Sequence, residues 1–241
     1  MTSSFDHGRH WYFLATQGDA QATLQSIFAK LASGQAYTVE HQKVFQLIDA
    51  EGDLRSSFLL RNEEFVAGYP IVVDGFGWPL KIHDTVTWPD QVQASLVASC
   101  EGQRICLVDA QHFLHKETYS DTSERTFVVG AIAYKLFETM YDNAQQEAEL
   151  SQTKAFFPLQ AEDGGAMDEI KFMSHVEAVR EVDFHGITLR AYTVTLAEPE
   201  DFPMRIDVYA HPSVCERDFQ PGEPISGFAW IFGAARAQGQ K

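Results

Sequence analysis

The sequence predicts a mainly β fold with one or two helices (α+β). It comprises two small barrel- or sandwich-like β units after an N-terminal helix-containing segment. Three observations carry this. Only one stretch has a clear helical period. Most of the rest is short β-prone runs cut by glycine and proline turns. Two runs about one hundred residues apart, opening at Arg104 and Arg205, echo one another.

The helix is read in "GDAQATLQSIFAKLASGQ". Leu24, Ile27, Phe28 and Leu31 recur at i, i+3, i+4 and i+7, which places them on one face. Asp19 is suited to the N-cap and Gly34 to the stop. From Tyr37 onward the runs are β-prone and are broken by "AEGD". "YPIVVDGFGWPLKIHDTVTW" reads as strand, loop, strand. "DQVQASLVASCEGQRICLVDAQHF" reads as a hairpin turning at Glu101-Gly102, its first arm alternating apolar and polar. The run from Phe127 to Phe137 is apolar enough for a buried strand or a helix. Its β-branched Val128, Val129 and Ile132, with Gly130 interrupting, favour strand. A polar interval follows, with a short surface helix expected within residues 142–153. The last third reads as a hairpin turning at His185-Gly186, the strand "RIDVYAHP", and a final glycine-containing strand. The resulting division is residues 1–84, an N-terminal α/β segment packed on the first β unit; 85–141, that unit; 142–169, a polar linker; and 170–236, the second unit.

The echo extends beyond two residues. "VQASLVAS" matches "LRAYTVTL", and "VVGAIAYKLF" matches "ISGFAWIFG" when Gly130 is set over Gly227. It reads either as a duplicated unit or as the common grammar of glycine-marked hairpins. Glycine inside such strands points to sharp bending or close backbone approach, as in a small closed barrel of the oligonucleotide/oligosaccharide-binding (OB) type.

The chain has 241 residues, 45% hydrophobic and 22% charged, enough apolar mass for a real core. With 34 acidic and 18 basic side chains, its net charge of -16 repels polyphosphates at long range, so a nucleic-acid partner is not expected. Such acidity solubilises a surface, or lets it dock on a basic protein or imitate nucleic acid. No apolar run matches a signal-peptide core or a membrane span. Three cysteines do not make a disulfide scaffold. A cytoplasmic protein without membrane attachment is the expectation.

No catalytic signature stands out: there is no phosphate loop, nucleophile elbow or zinc-protease motif. A triad assembled from distant Ser, His and Asp stays open, because such triads are spatial. "FDHGRH" clusters Asp6, His7, Arg9 and His10 near the terminus, where a tail is the simpler reading. Two surfaces are candidates for partner binding. One is the loop Asp74, Phe76 and Trp78, where glycines free the backbone and aromatics offer anchors. Burial of Trp78 in the core is the commoner outcome for such a turn. The other is the acidic stretch with Glu162, Asp163, Asp168 and Glu169. The function expected is non-catalytic binding of a protein partner, of inhibitor, immunity or regulatory type, with no cofactor. Two alternatives stand beside it. Asp109, His112 and His115 can be read as a metal site of an enzyme, and an OB-like barrel can bind nucleic acid.

Overall fold

The computed structural model describes residues 11, 13–14, 20–32, 36–119, 124–139, 153–159 and 166–236. The expected caps Asp19 and Gly34, residues 142–152 of the expected surface helix, and the "FDHGRH" cluster lie outside them.

The architecture is mainly β. The predicted helix is α1 (Ala20–Lys30), with Ile27 and Leu31 buried. Strands β1 (Ala36–His41), β2 (Val44–Asp49), β3 (Leu54–Arg61) and β4 (Glu64–Val72) form a four-stranded antiparallel meander. The second sheet contains β5 (Gly77–Thr87), β6 (Ala94–Cys100), β7 (Gln103–Asp109) and β8 (Arg125–Phe137). It continues with β9 (Ala155–Pro158), β10 (Glu169–Phe184), β11 (Ile187–Thr195), β12 (Arg205–Ala210) and β13 (Pro224–Ala235). A single helical turn, α2 (His112–His115), follows β7. The run of uncertain type is thus a strand, β8. The expected boundary after residue 84 falls inside β5, which pairs with β6 through Thr87.

The second sheet is organised around a long antiparallel ribbon of β8 and β13. β8 pairs with β5 through residues 125–128 and next, at its middle, with β12 through 130–132. The outer edge of β13 pairs likewise with β10 and then β7. Two rings of strands therefore close on the same ribbon. One runs β5-β6-β7-β13-β8, the other β10-β11-β12-β8-β13. Closure removes the open edges that a small sheet otherwise leaves.

The halves β5–β8 and β10–β13 pair in the same order. Each begins with a meander of three strands whose third runs parallel to the other half's fourth. Val108 of β7 faces Phe232 of β13 as Tyr209 of β12 faces Ile132 of β8. Setting Arg104 over Arg205 puts Val108 over Tyr209, so Ile132 corresponds to Phe232. Gly130 then corresponds to Trp230, and the glycine match to Gly227 is displaced by three positions. The glycines have separate jobs. A Cβ on Gly130 would lie 2.6 Å from Val72 of β4. One on Gly227 would lie 2.6 Å from Leu136 and 2.7 Å from the Lys135 carbonyl.

Two cores result. One fills the rings, with Leu96, Ile105, Val129, Phe172, Val194 and Ile231 among its members. The other lies between the four-stranded sheet and the opposite face of the ribbon, where Val72, Ile132, Trp230 and Phe232 meet Trp11 and Phe58. The tip of the β10–β11 hairpin closes it: Phe184 stacks on Trp11 at 5.9 Å.

Four hairpins turn on two residues that both have positive φ: Gln42-Lys43, Asn62-Glu63, Glu101-Gly102 and His185-Gly186. This is the turn whose twist matches that of paired strands.

Candidate functional site

Chemistry-bearing side chains gather in four places, all at joints between units. The first is the loop from β4 to β5. Asp74 is 86% exposed and pairs with Arg55 of β3 at 3.3 Å. Phe76 is half-buried, and its carbonyl accepts from the Val129 amide. Trp78, offered as a contact residue, takes instead the core position that is the commoner expectation for it: it is fully buried. Its Nε1 donates to the Arg205 carbonyl at 2.7 Å, joining β5 to β12. The ring faces the apolar interior because β5 is a wall of the first ring. A loop assignment could not supply that neighbour.

The second place is the acidic stretch. Glu162 and Asp163 lie outside the described residues. Asp168 and Glu169 are buried, at 3% and 2% exposure, so these two do not offer an acidic surface. Asp168 accepts from Trp230 Nε1 at 2.7 Å, and its carbonyl accepts the Ile231 amide. Glu169 accepts from Tyr134 Oη at 2.7 Å and from the Ala166 amide at 2.9 Å. Tyr134 and Trp230 are thus the polar handles that draw this loop onto the ribbon. Burial raises the Asp168 carboxyl to about 6, although the Trp230 bond pulls it down.

The third is the Asp109, His112, His115 set. Asp109 ends β7 and is buried; it accepts from Tyr119 Oη and from the Gln111 amide. Burial raises its carboxyl to about 6. His112 Nδ1 stands 3.9 Å from Asp109 and has no hydrogen-bond partner among the described residues. Burial first, then Lys116, depresses this imidazole to about 4, so it is neutral near pH 7. His115 is half-buried on the same turn, and burial first, then Arg125 and His41, depresses its imidazole. Among the described residues no group of three or more His, Cys, Asp and Glu side chains is arranged to hold a metal ion. Around this point Gln46 Nε2 donates to Ser57 Oγ and to the Ala110 carbonyl, which also accepts from Tyr69 Oη at 2.6 Å. The network ties the meander to the first ring.

The fourth was missed by sequence reasoning, because its members are 129 positions apart. Ser56 of β3 meets His185 Nε2 at 2.8 Å, and Asp49 meets the same nitrogen at 3.4 Å. A catalytic relay needs the acid and the hydroxyl on opposite ring nitrogens. Here both meet one, and Ser56 is fully buried. The group works as a clasp that pins the hairpin tip to the meander. Arg180 does similar work nearby. Its Nε reaches Asp53 at 2.9 Å and Nη2 reaches Asp207 at 3.0 Å.

Known proteins offer no further guide to chemistry: no family model matches the chain, and no curated protein matches it. No helix among the described residues is long and apolar enough to cross a membrane.

Proposed function

We propose that the protein is a non-catalytic binding protein whose acidic surface engages a protein partner, most simply a basic one. The observation that carries this is the imbalance of 34 acidic over 18 basic side chains. An excess of that size biases encounter toward positive surfaces. Asp74 on the β4–β5 loop, exposed beside the half-buried Phe76, is the contact point assigned to that partner. The geometry of the other polar groups favours binding over catalysis. Asp109, Asp168 and Glu169 accept hydrogen bonds from neighbouring elements, and Ser56 lies sealed against His185.

The same proposal holds β5–β8 and β10–β13 to be duplicated copies of an OB-like unit that exchange their fourth strands. Their matching order of pairing supports it. A cytoplasmic location belongs with it, supported by three free cysteines.

Affinity capture from the source cell tests the reading. The wild type is compared with an Asp74→Asn, Phe76→Ala double variant. A partner retained at physiological salt by the wild type and depleted with the variant is expected. An identical retained set for both proteins, or none, refutes it.

A further inference from the structure

The outer face of the β8–β13 ribbon is covered by the meander over only part of its length. Beyond that cover one residue from each of four neighbouring strands lies directly opposite the next. Lys135 of β8 faces Phe228 of β13, Phe228 faces Lys171 of β10, and Lys171 faces Phe157 of β9. Directly opposed residues of antiparallel strands share a face, at a spacing of about 4.8 Å per strand. The row therefore alternates cation, ring, cation, ring. Phe157 is 61% exposed, both lysines are exposed, and Phe228 is half-buried. Phe137 adds a further ring 5.8 Å from Phe228, with the Lys135 ammonium 5.9 Å from its centroid. Neither Lys135 nor Lys171 forms an ion pair among the described residues. The nearest acid along β8, Glu138, is held by Arg217 at 3.4 Å. In a chain of net charge -16 these two lysines stand beside the exposed ring of Phe157 and the half-buried rings of Phe228 and Phe137.

We propose that this row binds a short single-stranded oligonucleotide. Each nucleotide of a single strand carries one phosphate and one flat base, and a sheet face that sets ammonium beside ring offers each its counterpart: charge for phosphate, stacking for base. An acidic peptide presents carboxylates without a flat ring at each step and matches only half of the pattern. The whole-chain charge opposes approach at long range. Binding is therefore confined to low and moderate salt and depends on the few contacts of the row. The inference does not rest on the protein-partner reading. The Asp74–Phe76 loop lies by Val128, at the other end of β8, about 23 Å along the strand from Lys135.

The test is fluorescence anisotropy with labelled oligothymidylate and oligouridylate of about twelve nucleotides, within the reach of a barrel of this size. Salt is varied from roughly 50 to 200 mM. Inorganic polyphosphate and poly-glutamate serve as competitors. Saturable binding is expected, and a Lys135→Ala, Lys171→Ala variant should lower the salt slope by about 1.4, the value for two phosphates on a single strand. Phe157→Ala should weaken oligonucleotide binding about tenfold and leave polyphosphate competition unchanged. Lys81→Ala on β5 should bind as the wild type does. All these side chains are exposed, so thermal unfolding serves to confirm an intact fold in each variant. No binding at the lowest salt, binding untouched by the row variants, or competition by polyphosphate or poly-glutamate as strong as by unlabelled oligonucleotide overturns the proposal.

Discussion

Replacing Asp168 by asparagine should stabilise the protein at neutral pH and destabilise it slightly at pH 4. Asp168 is 3% exposed, and burial raises its carboxyl from 3.8 to about 6. In the unfolded chain the group loses its proton near pH 4; in the folded chain it keeps it until about 6. Between those values the folded state binds more protons, so stability falls as pH rises and then levels off. A shift of that size corresponds to about 3 kcal/mol lost above pH 6, at about 1.4 kcal/mol per unit. Asparagine carries no charge and can still accept from Trp230 Nε1. Its extra N–H donors have no assigned acceptor, which reduces the expected gain to about 2 kcal/mol. For a chain of this length that is roughly 4–8 °C in Tm. The assay is thermal unfolding of wild type and Asp168→Asn at pH 4 and pH 7.5, read as the difference between proteins at each pH. Asp109 and His112 titrate in the same window, His112 in the opposite sense, and both cancel in that difference. A variant less stable than wild type at pH 7.5, or an offset equal at both pH values, refutes the reasoning.

Other expectations follow from single contacts. Trp78→Phe keeps the buried ring but removes the bond to the Arg205 carbonyl, so chemical denaturation should show a loss of about 2 kcal/mol with partner capture unchanged. Gly227→Ala drives a methyl against Leu136 and the Lys135 carbonyl; a loss of about 1–3 kcal/mol is expected by the same measurement. Glu63 holds φ at 69° in the β3–β4 turn, so Glu63→Gly, creating an Asn-Gly turn, should gain about 1 kcal/mol in thermal unfolding.

Much of the fold was legible in the sequence, because it is written in local signals. The face of α1 is set by four residues at helical spacing, and the turns at Glu101-Gly102 and His185-Gly186 carry their glycines. The turns at Gln42-Lys43 and Asn62-Glu63 were not read. Neither contains glycine, and the pairing of the strands around them imposes positive φ on ordinary residues. The echo between halves was visible in β6, β7, β11 and β12, although the pairing sets Ser95 over Ala191, one position away from the match of those two runs. The match of Gly130 to Gly227 slipped, because glycine at 130 makes room for Val72 of another sheet. Candidate sites fared less well for a related reason. Trp78 looks like a loop anchor until β5 and β12 are neighbours. Asp168 and Glu169 look like surface acids until Trp230 and Tyr134 are seen to hold them. Lys135, Phe157, Lys171 and Phe228 share no spacing in the chain; only the sheet makes them a row.

The most direct test of the proposed partner binding is the native mass of the protein in extract of its source cell. Size-exclusion chromatography is run at about 100 mM and 500 mM salt, beside the purified chain, since only the higher ionic strength screens exposed charges beyond a few ångströms. An acidic binding protein should elute well above the purified chain at the lower salt and shift toward it at the higher. Elution identical to the purified 27.1 kDa chain at both salts would contradict a protein partner held through the acidic surface.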